Sequence, residues 1–369
     1  MACTKSMAVF SLLATVVRAN HCSSGSESPC DDEPGNLVSL LQTGAKLKMN
    51  LLGDGTSMTK SPSAMPTELE GMLPAPSPAP SPAPSFHEFE SRFRKGLQQL
   101  VANRFKRSDP IVITALNKEY AKYLTRWSQQ LIKVGLQQQI ILALDKSTAK
   151  VAAGGALLTL DVSAVTNPFG AKLDSMEVSQ ARRWNMPQDF AVLKFMVPYL
   201  LLQQHFDTCI FSEADVFIFA NPMGTFHPPA EPSFFAAMPN SPHMTESNIG
   251  FMIFRGASSM KLLERFSQSW FEKQRGNLKG AADQGFFNSM LPESFGVTKL
   301  DLPGPQFVQR PADVTSETIV AHLAWANPPC KHFFLEQLYS HSLPDASALR
   351  NSYAALPAAI SSSNFDCIM

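Results

Sequence analysis

The sequence predicts a mixed α/β fold: a doubly wound, mostly parallel central sheet flanked by helices and preceded by a disordered Pro-rich stalk. Three observations carry this. Residues 111–116, 118–134 and 140–144 read strand, helix, strand, and such a unit within about 35 residues implies parallel pairing. The apolar runs Ile111-Val112-Ile113 and Cys209-Ile210-Phe211 are continuous rather than alternating, as in strands buried on both faces. Further apolar strands and amphipathic helices then follow one another to about residue 345.

Taken in order, the chain opens with Lys5 ahead of an apolar stretch, residues 7–17, and with Val17-Arg18-Ala19 at a cleavage position. Residues 1–19 thus read as a signal peptide, too short for a bilayer span of about 20 apolar residues. The expected location is the secretory pathway, the Golgi lumen first and secretion as the alternative. Residues 20–85 end in a Pro-Ala-Pro-Ser repeat that favours extended polyproline II; they form a Pro/Ser-rich stalk. Cys22 and Cys30 are close enough there to pair, and Cys330 and Cys367 could pin the C-terminal tail. No Asn-x-Ser/Thr acceptor with a permitted middle residue occurs.

Residues 86–107 change character. Phe86, Phe89, Phe93, Leu97, Leu100, Val101 and Phe105 recur at helical spacing, with Arg92, Arg94, Lys95, Arg104, Lys106 and Arg107 on the remainder. This amphipathic helix admits two readings: packing on the domain that follows, which is preferred, or peripheral contact with a membrane surface.

The folded domain, residues 108–345, opens after Pro110. Asn117 caps the helix 118–134, whose inner face is Tyr120, Tyr123, Leu124, Trp127 and Leu131, and Gly135 stops it. The second strand ends at Asp145. The stretch 152–186 is ambiguous. Residues 188–204 read as a helix despite Pro198, then comes the strand through Cys209, which reads as a buried small residue. Residues 233–238 and 248–255 read as strands around a polar loop, 258–273 as a helix, 297–302 as a strand ending near Asp301, and 318–321 as a strand running into His322. A short helix covers 334–339, and residues 346–369 read as a mobile tail.

Composition bounds the function. Thirty-one basic residues balance 31 acidic ones, so no charge footprint argues for nucleic acid. A hydrophobic content of 44% is ordinary for a globular chain. No Cys/His spacing makes a zinc site, and Leu116-Asn117-Lys118-Glu119 is not the Gly-rich loop that a phosphoryl or nucleotidyl enzyme would carry after its first strand.

The chemistry centres on residues 208–222, where an apolar strand runs into Glu213-Ala214-Asp215, a second apolar run and Asn221-Pro222. Carboxylates at a strand's carboxyl end sit where ligands bind in open α/β sheets. If the segment is extended, side chains at i and i+2 point the same way and offer two hard oxygens to one divalent cation, which keeps positions open for substrate phosphates.

This order resembles the nucleotide-diphospho-sugar transferase family, glycosyltransferases of the GT-A fold with an acidic Asp-x-Asp-type motif. Here Glu213 stands where the family usually has the first Asp. The start of the domain is also similar: Thr114-Ala-Leu-Asn117-Lys-Glu-Tyr120, a Trp-bearing helix and a strand ending Leu144-Asp145. Over roughly residues 111–338, the resemblance implies a metal-dependent, nucleotide-sugar glycosyltransferase acting on a glycan or glycoprotein, with retention. It implies manganese (or magnesium) held by Asp215, Glu213 and His322. It also implies nucleotide and phosphate contacts from Thr114, Ala115, Asn117, Asp145, Lys194, Gly250 and Lys331, and sugar contacts from Asn248, Asp283 and Gln284. The alternative is a secreted or lumenal protein of the same fold that binds sugar nucleotides or glycans without catalysis.

Overall fold

A computed structural model gives the structure of residues 85–155, 157–162, 191–225, 233–240, 246–275, 283–291, 296–324, 326–339 and 343–363. The signal peptide, the stalk up to residue 84, Cys22, Cys30, Cys367, the segment 163–190 and the loop after residue 240 lie outside the described residues.

Helix α1 (Phe86–Val101) begins at a capping box, Ser85 with Glu88, and ends earlier than the sequence stripe predicts. Phe86, Phe89, Phe93, Leu97, Leu100 and Val101 are all buried in the core. That leaves the helix no apolar face for a membrane surface, which corrects the membrane-contact expectation. Strand β1 (Ile111–Leu116) follows. The expected helix 118–134 is two helices, α2 (Lys118–Ala121) and α3 (Leu124–Lys133), with a break at Lys122-Tyr123. Tyr123 is drawn out there to donate its hydroxyl to Glu336 at 3.0 Å. Gly135 ends α3 in the left-handed region, φ 86°, where only glycine is unstrained.

Strand β2 (Gln138–Ala143), helix α4 (Lys146–Gly154) and strand β3 (Thr159–Asp161) come next; α4 and β3 fall in or beside the stretch the sequence left ambiguous. Helix α5 (Ala191–Gln203) is apolar on every side and buried, so a core position tolerates Pro198 inside it. Strands β4 (Thr208–Ser212) and β5 (Val216–Ile218), the short helix α6 (Pro222–Thr225), and strands β6 (Phe234–Pro239) and β7 (Ser247–Arg255) lead to helix α7 (Gly256–Arg275). Helix α8 (Asp283–Met290), strands β8 (Thr298–Asp301), β9 (Phe307–Val308) and β10 (Val320–His322), and helix α9 (Pro328–Tyr339) complete the site-bearing part. Residues expected to be a mobile tail form helix α10 (Ala346–Ser363). Asp345 caps it by accepting from the Ala348 amide, and Leu349 and Leu356 are buried.

The main sheet runs β3-β2-β1-β4-β7-β6-β8, with only β7 antiparallel to its neighbours. The chain moves outward from β1 to β2 and β3, then returns to the other side of β1 as β4. The carboxyl ends of β1 and β4 therefore flank a topological switch point, where ligands bind in such sheets. Alternate residues point to opposite faces. Ile111 and Ile113 of β1 join α1, α5, α7 and α8 on one face. Val112 and Leu116 join α3, α9, α10 and a second, three-stranded sheet, β5-β10-β9, on the other.

Candidate active site

Strand β4 ends at Ser212, and the chain turns before β5 carries it into the small sheet. The Glu213 amide donates to Gly250 O at 2.8 Å, the Val216 amide to Glu213 O at 3.2 Å, and the Leu323 amide to Asp215 O at 3.2 Å. The two acidic residues thus converge through a turn clamped between β7 and β10, not through an extended pleat as the sequence suggested. His322 ends β10, which pairs antiparallel with β5 in the register His322 opposite Val216. Ligand atoms of Glu213, Asp215 and His322 lie within 4.8 Å of one another.

The tautomer of His322 follows from its neighbours. Asn248 Oδ1 accepts from the Gly250 amide at 2.9 Å, so that atom is an oxygen. The same oxygen lies 3.0 Å from His322 Nδ1, which must then carry the proton. The Nε2 lone pair of a neutral ring faces Glu213 Oε2 at 3.3 Å and Asp215 Oδ1 at 3.6 Å, and Nε2 is buried without a hydrogen-bond partner among the described residues. Three electron-rich atoms converge on one point, the donor set that a divalent cation fits. One nitrogen and carboxylate oxygens suit manganese at least as well as magnesium. Gly250 completes the arrangement: a Cβ there would stand 2.1 Å from His322 Cε1. The close approach that its missing side chain permits is to the imidazole.

Two lysines frame the carboxylates. Lys194, on buried α5, reaches Glu213 Oε1 at 2.6 Å and Asp283 Oδ2 at 3.1 Å. Burial opposes its charge, but Asp283 and Glu213 outweigh burial and hold the ammonium above the ordinary lysine range. Glu213 mirrors it: burial disfavours ionisation, while the neighbouring cationic groups, the Lys194 ammonium first, hold its carboxyl well below the usual range. Lys331, on α9, lies 2.6 Å from Asp215 Oδ2. Its pKa is also raised, with Asp215 and Glu213 prevailing over desolvation.

The remaining sequence candidates divide. Asn248 is buried, and its oxygen serves Gly250 and His322 rather than pointing into open space. Gln284 accepts from the Ile249 amide at 3.3 Å and so ties α8 to β7. Thr114 is buried on β1 with a hydroxyl that has no hydrogen-bond partner among the described residues; Ala115 is half-buried beside it. Asn117 caps α2 through the Glu119 amide, and Asp145 accepts from the amides of Lys118 and Thr148. Asp301 is exposed and pairs with Lys299 at 3.1 Å.

Three residues at the site escaped the sequence reading. Tyr120 stacks on His332, centroids 5.2 Å apart. Its phenol is pushed up by burial and then by the charges of Asp215 and Glu213. Asn288 pairs with both backbone groups of Ser247, at 2.6 and 2.9 Å. Gln309 meets Asn248. Tyr120 was legible as part of an amphipathic face; Asn288 and Gln309 left no signal.

No family model matches this chain, and a search of curated proteins finds no match. Among solved structures it is similar to apo-form glycosyltransferase GlyE of Streptococcus pneumoniae TIGR4, at 14% identity over 68% of this chain and 64% of that one, TM-score 0.43. It is also similar to a glycosyltransferase involved in the glycosylation of the major capsid of PBCV-1, at 10% identity over 58% and 92%, TM-score 0.36. A third, galactosyltransferase LgtC with donor and acceptor sugar analogues, shows 13% identity over 57% and 86%, TM-score 0.35. The match to GlyE spans less than two thirds of that chain. At such identities, the chemistry has to rest on the residues of the site.

Proposed function

We propose that this protein is a metal-dependent glycosyltransferase that moves a sugar, with retention, from a nucleotide-diphospho-sugar to a glycan or glycoprotein in the secretory pathway, the Golgi lumen first. The observation that carries it is the unpartnered His322 Nε2 facing two carboxylates at the carboxyl end of β4. Asp215, Glu213 and His322 would hold the cation. When bound, manganese or magnesium supplies Lewis-acid stabilisation for charge developing on a diphosphate leaving group.

The chain's own groups fit the rest of the task. Three carboxylates, Glu213, Asp215 and Asp283, face two ammonium groups, Lys194 and Lys331, so the cluster carries one excess negative charge. A dication reverses that sign and makes the cluster attractive to a diphosphate. Lys331 sits near the rim with its side chain 17% exposed, placed to exchange Asp215 for a phosphate oxygen. Asp283, 25% exposed, keeps lone pairs for sugar hydroxyls, while Lys194 fixes its distance from Glu213. Retention, and the choice of acceptor class, rest on the family resemblance; the apolar run 7–17 supports the location.

The test is a thermal-shift series on the full chain with nucleoside diphosphates, with and without manganese, since a ligand that binds only the folded state raises its melting temperature. Stabilisation by the nucleoside diphosphate should require manganese, and nucleotide sugars should be hydrolysed or transferred only when it is present. Metal-dependent binding without turnover would select the non-catalytic alternative. Equal stabilisation with and without metal would overturn the proposal.

A further inference from the structure

We infer that Gln309, a residue outside the candidate ligand set, is the positioning residue that sets the His322 tautomer through a relay of two side-chain amides. The inference deepens the metal-site reading and depends on it only for its functional consequence. Its geometry is fixed independently at both ends by backbone groups that cannot change role. At one end the Pro239 carbonyl accepts from Gln309 Nε2. A carbonyl can only accept, so the Gln309 amide must turn its nitrogen that way and its oxygen towards Asn248. There Gln309 Oε1 accepts from Asn248 Nδ2 at 3.3 Å. At the other end the Gly250 amide, which can only donate, meets Asn248 Oδ1 at 2.9 Å.

Both ends demand the same orientation of Asn248, and that orientation leaves His322 Nδ1 as a donor to Asn248 Oδ1. Every donor in the chain then meets an acceptor, from His322 through Asn248 and Gln309 to Pro239. Turning the Asn248 amide over would put its nitrogen against the Gly250 N–H and its oxygen against Gln309 Oε1, two repulsive contacts at once. Gln309 therefore supplies half of the restraint that keeps the Nε2 lone pair on the carboxylate side. Partners of this kind, behind a metal-ligating histidine, typically alter metal affinity 10- to 100-fold when removed. Strand β9 and the turn after it thereby act on the site without entering it.

The experiment labels the eight histidines of the full chain with 15N and reads the His322 tautomer by long-range proton–nitrogen correlation, assigned with His322→Gln. The parent should show Nδ1–H. Gln309→Leu, which deletes both amide bonds, should shift His322 towards Nε2–H and weaken manganese binding about 10-fold or more. Gln309→Glu keeps an acceptor for Asn248 Nδ2 at the cost of the bond to the Pro239 carbonyl; it should lose stability but retain Nδ1–H. A parent protonated on Nε2 overturns the inference whether or not Gln309→Leu folds, as does a folded Gln309→Leu with the parent's tautomer. Should the tautomer respond as expected while the parent binds no manganese by calorimetry, the relay stands and the metal-dependent reading falls.

Discussion

Asp145 and the Glu213–Asp215 pair occupy equivalent positions, acidic residues at the carboxyl ends of parallel strands, yet they are wired in opposite ways. Asp145 spends its oxygens on two backbone amides, those of Lys118 and Thr148. Glu213 and Asp215 are met instead by titratable side chains from three other elements: Lys194 of α5, His322 of β10 and Lys331 of α9. An acid bonded to backbone is a cap whose job ends locally. An acid bonded to distant charged groups is held in a strained balance, because each partner lost leaves a poorly solvated charge behind. The difference separates scaffold from site more clearly than position in the fold does.

The largest effect should come from Lys194→Met. It leaves Glu213 and Asp283 unneutralised across a gap that one buried ammonium now fills, and breaking such a pair costs about 3–5 kcal/mol. Chemical denaturation should show that loss in the absence of any ligand. A variant as stable as the parent would mean the carboxylates relax into solvent, and the contrast with Asp145 would lose its basis.

Acid should expose the same wiring. Glu213 is held well below its ordinary 4.5, so its contribution is complete above that value and disappears as pH falls through the lower folded value. Lys194 and Lys331 are raised above 10.5, so theirs is complete below that value and is lost as pH rises through the folded ones. Stability should form a plateau between the two limits. In Lys194→Met the acid limb should shrink, since the charge that chiefly depresses Glu213 is gone. Melting curves from pH 3 to 8, roughly the span that brackets the carboxylate range, check this; an unchanged acid limb would assign the depression elsewhere.

Gly250→Ala comes next. Its new Cβ collides with the imidazole of His322, and overpacking of that kind costs about 1–3 kcal/mol. The ring must shift, so manganese binding should weaken as well. Retained affinity with lowered stability would show that His322 is not a ligand.

Why the sequence disclosed one of these regions better than the other is now visible. Caps and strand ends are largely local: Asn117 meets the Glu119 amide and Asp145 the Thr148 amide within three residues, and β1, β2 and β4 announce themselves as apolar runs. The acidic turn was legible as a motif, and so were its metal partner His322 and the lysines as candidates. What could not be read was who pairs with whom. Lys194 looked like a phosphate ligand and is a bridge between carboxylates. Asn248 looked like a sugar contact and holds a tautomer. Gly250 looked like a substrate approach and makes room for a ring. Each depends on elements 19 to 89 residues apart, brought together only by the order of strands.

The smallest effect is the most discriminating, because it makes one chemical change twice. Asp215→Asn removes the negative charge from a group that faces Lys331 and the His322 lone pair. An amide cannot replace it as a hard anionic ligand, so manganese-dependent nucleotide binding should vanish. Asp145→Asn makes the same change where the oxygen's partners are backbone amides. Asparagine caps helices about as well as aspartate, and its single carbonyl oxygen keeps the bond to Thr148 while its NH2 group cannot accept from Lys118, so that bond is lost. Stability should therefore move by about 1 kcal/mol, and manganese affinity should not move at all. Paired titrations and melting curves decide it. If Asp145→Asn instead weakens nucleotide binding while leaving metal affinity intact, Asp145 is more than a cap: the βαβ turn between Thr114 and Asp145 then belongs to the nucleotide site, and the division between scaffold and site shifts to include it.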